Sequence, residues 1–158
     1  MVRIELTTEI AAPRERCFDL ARSIDLHLIS TQGTGEKAIA GVTAGLIGLG
    51  EEVAWQGRHL GFRVTHRSRI TQYRRPDYFQ DRMVAGRFRY FCHDHYFEKT
   101  GPENTTMRDS LEFEAPLGVL GKIAEKVLLK AHLRKLLERR NECIKRVAES
   151  EDWKGYVR

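Results

Sequence analysis

The 158-residue sequence is poor in cysteine, with only Cys17, Cys92 and Cys143, which lie far apart. None of the three forms a CxxC pair or a zinc-finger spacing, so we expect neither a disulfide scaffold nor a cysteine-based metal framework. No apolar run approaches the ~20 residues that a membrane-spanning helix needs. The first ten residues alternate like a strand and lack the architecture of a signal peptide, so we expect a cytoplasmic protein.

The sequence also lacks a P-loop, a Gly-x-Ser-x-Gly elbow and a His-Glu-x-x-His motif. Gly45, Gly48 and Gly50 reverse the dinucleotide-binding fingerprint, and they precede a predicted strand instead of opening a helix after one. We therefore interpret these glycines as a loop or strand bend. No cofactor is expected.

The formal net charge of +5 is concentrated in one segment. Residues 118–150 contain nine lysines and arginines against four glutamates, and the rest of the chain is balanced. A solvated outer helix face explains this pattern, and we expect no nucleic acid partner. An anionic membrane surface or an acidic partner is the alternative.

The predicted elements follow the order strand, two short helices, six strands and one long helix. Residues 2–10 alternate as a half-buried strand does, and Pro13 with Glu15 predicts a helix start. A second short helix is predicted over 25–30, and the final helix over 121–150. The other strands are predicted at 37–42, 51–58, 62–73, 78–84, 87–99 and 105–114. This order predicts a single α+β domain over 1–158, with an antiparallel sheet and its helices on one side.

The predicted strands place ionisable residues among aromatic ones on the face that the helices cover. His93 and His95 are two residues apart on one strand, so they point to the same side. His66, Asp81 and Asp109 fall on the same face of neighbouring strands. Such a set could be a buried hydrogen-bonded network, a polar ligand anchor, an acid/base centre or a divalent metal site. With two histidines from one strand and no cysteine nearby, we expect a polar anchor and no metal.

Aromatic residues on the inferred inner faces are Trp55, Phe79, Phe91, Phe97 and Phe113. They could pack as core or line a cavity, because a sheet curved around one helix does not fill its own interior. We expect a cavity between the sheet and the helix around 118–137. The candidate ligand-contacting residues are Trp55, His66, Phe79, Asp81, Phe91, His93, His95, Met107 and Asp109.

Seven segments carry a family resemblance over nearly the whole chain: Gly48–Trp55, Ser68–Thr71, Gly86–Phe88, His93–Glu98, Thr106–Asp109, Ala115–Gly121 and Arg139–Asn141. In this order they resemble the SRPBCC superfamily, which includes START lipid-transfer domains, the major pollen allergens and polyketide cyclase/dehydrase-like proteins. The match is greatest with a bacterial branch described loosely as ligand-binding or cell-division-inhibitor-like. The resemblance implies a helix-grip fold, in which a curved antiparallel sheet wraps around the C-terminal helix and encloses a hydrophobic cavity. It implies no particular reaction, because superfamily members bind, transport or transform different ligands.

Three functions are compatible with these observations. The first is binding or carriage of a hydrophobic or amphipathic small molecule, such as a lipid. The second is a polyketide cyclase/dehydrase-like enzyme whose inward histidines and aspartates act as acid and base. The third is a regulatory or membrane-peripheral protein that uses the basic helix. The sequence leaves the oligomeric state open.

Overall fold

The computed structural model describes residues 1–115, 123 and 125–157 of the chain. Within this part, seven antiparallel strands form one sheet in the order β1-β7-β6-β5-β4-β3-β2. The strands are β1 Val2–Ile10, β2 Lys37–Gly41, β3 Glu52–His59, β4 Phe62–Arg74, β5 Tyr78–Ala85, β6 Tyr90–Gly101 and β7 Asn104–Glu114. Each of them overlaps a strand predicted from the sequence.

Helices cover one side of this sheet. α1 (Arg14–Ala21) and α2 (Ile24–Ser30) follow β1, and α3 (Lys130–Ala148) follows a π-helical turn over Glu125–Leu129. α2 begins where the Ser23 hydroxyl accepts a hydrogen bond from the Leu26 amide at 3.3 Å, a common N-cap arrangement. The predicted α+β helix-grip architecture is confirmed. The predicted helix start at 121 lies outside the described residues. So does the segment Ala115–Gly121, except for Ala115.

The hydrophobic core lies between the sheet and the helices. Phe18 of α1 packs edge-on against Phe79 and Phe97, with ring centroids 5.4 Å from each. Met107 and Ile144 belong to the same cluster, so α1 and α3 together fill this end of the sheet. A second cluster packs against α3 along β1 and β7, and its buried members are Val2, Ile4, Leu111, Phe113 and Leu137.

The helix α3 is amphipathic, but its inner face is not wholly apolar. Arg140 and Asn141 are 7% and 3% exposed and lie in the stripe that includes Leu137 and Ile144. The expectation that the basic excess forms a solvated face is therefore wrong for Arg140, because helical spacing turns this residue toward the sheet. Among the described residues, no helix combines the length and apolar character that crossing a bilayer requires.

Candidate functional site

A cavity of about 560 Å³ lies between the inner face of the sheet and α3. Apolar side chains from the strands make most of its wall: Val53, Trp55, Phe62, Val64, Ile70, Phe79, Phe91 and Leu111. Ile24 of α2 and Leu133, Leu136 and Leu137 of α3 line it from the helical side. Pockets of about 300–1,000 Å³ with mostly apolar walls and a few polar groups are typical of small-molecule sites.

The cavity meets solvent near the tip of the β3–β4 hairpin. Leu60 and Phe62 at this tip line the cavity and are 47% and 62% exposed, and Leu128 of the π-helical turn lines it at 59% exposure. Leu60 and Gly61 form the two-residue turn with φ of 50° and 82°. Positive φ at both positions is characteristic of hairpin turns that match strand twist. Apolar side chains therefore border the cavity at the hairpin tip.

All six histidines of the chain line this one cavity. They are His27 of α2, His59 of β3, His66 of β4, His93 and His95 of β6, and His132 of α3. His66 packs edge-on against Phe91, with ring centroids 4.8 Å apart, and burial lowers its pKa. The other five form two groups, one built around two carboxylates and the other around a single carboxylate.

The first group, here called the histidine–aspartate cluster, comprises Asp81 of β5, His93 and His95 of β6, and Asp109 of β7. Strand register creates it, because Asp81 is paired with His93 and Asp109 with His95. Asp109 Oδ1 lies 2.8 Å from His93 Nε2 and 3.1 Å from His95 Nδ1. Asp81 Oδ2 lies 2.9 Å from His95 Nε2 and 3.9 Å from His93 Nδ1. Each imidazole thus has one nitrogen near Asp109 and the other near Asp81.

The helix α3 completes the surroundings of Asp109, whose side chain is fully buried. The Asn141 amide donates to Asp109 Oδ2 at 2.7 Å, and Arg140 Nη1 lies 3.4 Å from Oδ1. Arg140 Nη2 also donates to the Ala21 carbonyl at 2.9 Å. One buried carboxylate therefore connects β6, β7 and α3, and Arg140 extends this connection to α1.

Electrostatics keep both carboxyl groups of the cluster ionised. Burial acts to raise the pKa of Asp81, but the hydrogen bond with His95 and the nearby His93 outweigh it and lower this pKa to about 2. The same balance, with hydrogen bonds from His93 and His95 and the charge of Arg140, holds the pKa of Asp109 well below its usual value. Burial, assisted by the neighbouring His95, lowers the pKa of His93. The neutral form of His93 is therefore favoured.

The second group, here called the Glu36 cluster, comprises His27, Glu36, His59 and His132. Glu36 lies between His27 Nε2, at 2.6 Å, and His59 Nε2, at 3.4 Å. His59 Nδ1 lies 3.1 Å from His132 Nε2, so the group joins α2, the β3 strand and α3 along the cavity wall. Burial acts to raise the pKa of Glu36, but the bonds from His27 and His59 lower it to about 2.

Seven of the nine residues predicted for the site line the cavity: Trp55, His66, Phe79, Asp81, Phe91, His93 and His95. Asp109 lies behind the two histidines of β6 instead of in the wall. The prediction that Met107 lines the cavity is wrong: its side chain is fully buried in the core cluster with Phe18 and Phe97. Phe18 of α1 and Ile144 of α3 belong to the same cluster, so the helices fill this end of the sheet.

Sequence reasoning missed the Glu36 cluster and the inward position of Arg140 and Asn141. A signal for the latter existed, because Arg140 follows Leu137 by three residues and precedes Ile144 by four, which is the spacing of one helix face. No comparable signal existed for Glu36. It lies in an irregular segment between a 3-10 turn and β2, and its histidine partners come from separate elements.

The arrangement offers polar recognition, proton transfer and cation binding. Asp81, His93 and His95 each present one potential ligand atom, and these atoms lie within 4.8 Å of one another. The side chain of Asp81 is 21% exposed and faces the cavity, so a molecule inside could contact it directly.

Comparison with solved structures relates this architecture to known proteins. The aromatase/cyclase Zhui from Streptomyces sp. R1128 superposes with a TM-score of 0.75 at 14% identity, covering 94% of this chain and 93% of that one. A START superfamily protein from Mycobacterium smegmatis gives 0.65 at 17% identity, covering 89% and 97%. Norcoclaurine synthase from Thalictrum flavum, solved in complex with dopamine and hydroxybenzaldehyde, gives 0.64 at 14% identity, covering 90% and 86%.

No protein-family model matches the chain, and no curated protein sequence matches it significantly. The structural likeness extends over most of each chain at low identity, and it establishes the fold. The chain has the helix-grip fold of START/SRPBCC-type proteins, as the sequence resemblance predicted.

Proposed function

We propose that the protein binds a hydrophobic or amphipathic small molecule in the cavity between the sheet and α3. The apolar body of the molecule contacts the wall around Trp55, Val64 and Phe91, and its polar end reaches the histidine–aspartate cluster. The observation that carries this proposal is one cavity of about 560 Å³ whose apolar wall is interrupted by grouped histidines and carboxylates. Burying apolar ligand surface supplies affinity, and the few polar groups fix orientation.

The gradient of exposure along the cavity supports this orientation. Leu60 and Phe62 are exposed at the hairpin tip, whereas Phe79 and His95 are buried at the opposite end. Phe79 stacks on His95 with ring centroids 4.1 Å apart, so the polar cluster is shielded from bulk water. A polar group that reaches this end would find hydrogen-bond partners that are costly to leave unpaired.

Native mass spectrometry of the purified protein, searching for a bound small molecule, tests the proposal. We expect a noncovalent adduct that survives gentle ionisation and disappears on denaturation. A protein that stays free of adduct and binds no hydrophobic probe would contradict the proposal.

The second candidate function is a cyclase-like enzyme, favoured by the Asp81 carboxylate, which faces the cavity and lies 2.9 Å from His95 Nε2. A carboxylate and an imidazole facing a ligand cavity are the groups that general acid/base catalysis uses. Chemical identification of the bound molecule before and after incubation separates the two functions: a carrier returns the molecule unchanged, and an enzyme converts it.

A further inference from the structure

Asp81 of β5 and the two histidines of β6 group three potential ligand atoms at the inner end of the cavity. One carboxylate oxygen and one nitrogen of each imidazole lie within 4.8 Å of one another. His95 Nε2 donates to Asp81 Oδ2 at 2.9 Å, because an ionised carboxylate can only accept hydrogen bonds. A cation bound at this point would take the place of that proton, since a histidine nitrogen must be deprotonated to bind a metal.

One carboxylate and two imidazoles grouped this closely form a donor set that can hold a cation. We propose that Asp81, His93 and His95 bind a divalent first-row transition-metal ion at the inner end of the cavity. This site revises the expectation from the sequence, which favoured a polar anchor without metal. It requires no small molecule in the cavity, so it can be tested on the protein alone.

The distances suit such an ion. Metal–ligand bonds of about 2.1 Å at tetrahedral or octahedral angles separate neighbouring donor atoms by about 3.0–3.4 Å. Asp81 Oδ2 lies 2.9 Å from His95 Nε2 and 3.9 Å from His93 Nδ1, values that lie on either side of this range. All three potential ligand atoms lie within 4.8 Å of one another, so neighbouring donors need to approach by at most about 2 Å to reach bonding positions.

The surroundings fit the second shell of a metal site. Histidines that bind a metal usually donate their other ring N–H to a carboxylate, which fixes their orientation, and here Asp109 serves both histidines. Arg140 and Asn141 hold Asp109 in place from α3. Asp81, Asp109 and Arg140 together carry one net negative charge, which favours a cation.

Two imidazoles and one carboxylate form a donor set that suits zinc and its neighbours in the first transition row better than magnesium or calcium. All three ligand residues line the cavity. Because three protein ligands leave at least one coordination position unfilled, that position would face the cavity and could take the polar group of a bound molecule.

The test is titration of the tag-free, metal-stripped protein with Co²⁺, followed by visible ligand-field absorption and by equilibrium dialysis. We expect saturable binding of one equivalent. Asp81→Asn, at the partly exposed ligand, should weaken binding at least about tenfold, and Asp109→Asn should weaken it by about 10–100-fold as a second-shell change. The control is His132→Gln in the Glu36 cluster, which should leave Co²⁺ affinity unchanged.

Circular dichroism of each variant shows whether the fold is retained, and Asp81→Asn decides the question if Asp109→Asn does not fold. Absence of one-equivalent binding at millimolar Co²⁺ would overturn the proposal. So would binding that Asp81→Asn leaves unchanged, or binding that His132→Gln abolishes, since the latter would assign the ion to the Glu36 cluster.

Discussion

The carboxylate of Asp109 lies 2.8 Å from the ring of His93 on the neighbouring strand β6. The strand register pairs Asp109 with His95, which is two residues from His93. Asp109 is fully buried, directly behind His93, which lines the cavity. Asn141 holds the second oxygen of the same carboxylate from α3. Asp109 therefore connects the sheet to the helix and positions the histidines that face the cavity.

Replacing Asp109 should destabilise the fold strongly. Asp109→Ala leaves Arg140 and Asn141 without their buried acceptor, and we expect a loss of about 3 kcal/mol in the free energy of unfolding. The comparison variant is Arg67→Ala, whose side chain is 49% exposed and 3.7 Å from Glu52. Its effect should stay within about 0.5 kcal/mol. Urea denaturation measures both, and equal midpoints would show that Asp109 has no buried role.

Two adjacent arginines of α3 should differ sharply. Arg140→Ala removes the partner of Asp109 and of the Ala21 carbonyl, and should cost about 3 kcal/mol of unfolding free energy. Arg139 is on the exposed face, so Arg139→Ala should change stability by less than about 0.5 kcal/mol. The same denaturation experiment checks both variants. If Arg139→Ala is the more damaging, the orientation of α3 on the sheet is different from the one described.

Lowering the pH should reveal how much Glu36 contributes to the free energy of unfolding. Its pKa falls from 4.5 to about 2 on folding, so its ionised form stabilises the fold above about pH 4.5, and this contribution is lost as pH falls toward 2. The maximum contribution is about 3 kcal/mol. We expect Glu36→Gln to flatten the stability curve between these pH values, measured by urea denaturation at each pH. Glu103→Gln, in the exposed β6–β7 turn, is the control. Parallel curves for wild type and Glu36→Gln would contradict the prediction.

The histidines of β6 should matter more to ligand retention than to the fold. Glutamine keeps hydrogen-bonding capacity but removes both the imidazole lone pair and the cationic form. The double variant His93→Gln/His95→Gln should therefore keep its circular dichroism spectrum while the fraction of protein that carries a co-purified small molecule falls. Native mass spectrometry measures this fraction. Unchanged retention would restrict the pair to a structural role.

The elements of the fold could be predicted from the sequence because each strand alternates clearly and the turn residues separate them. Period-two alternation along β6 and β7 placed His93, His95 and Asp109 on one face, and strand register then brought them into contact. Met107 shares that face, but its surroundings depend on where α1 lies over the sheet. No pattern along β7 contains that information.

The polar contacts of the Glu36 cluster could not be predicted for the same reason: they depend on how separate elements pack together. His27, His59 and His132 come from an α-helix, a strand and the C-terminal helix, separated by more than 100 residues from first to last. The contact of His27 with Glu36 depends on how α2 packs, and the contact of His132 with His59 depends on how α3 crosses the sheet. Single-sequence periodicity specifies neither. The inward position of Arg140 could have been predicted, since its spacing from Leu137 and Ile144 follows the helical period.

We expect the space between β4 and α3 to bind a hydrophobic small molecule. Val64 and Ser68 line this space, whereas Thr65 and Arg67, on the same strand, are exposed on the opposite face. This alternation allows two double variants on one strand. Val64→Trp/Ser68→Phe, here called the filled variant, places aromatic side chains in the cavity. Thr65→Trp/Arg67→Phe, the matched control, places them on the opposite face. Both add the same aromatic groups to β4.

Titration with the fluorescent probe N-phenyl-1-naphthylamine, excited outside tryptophan absorption, tests this claim most directly. Wild type and the control should bind the probe with similar affinity and a strong rise in emission. The filled variant should keep its fold and bind at least about tenfold more weakly, a change of about 1.4 kcal/mol. Equal probe binding by the filled variant and the control would contradict the account.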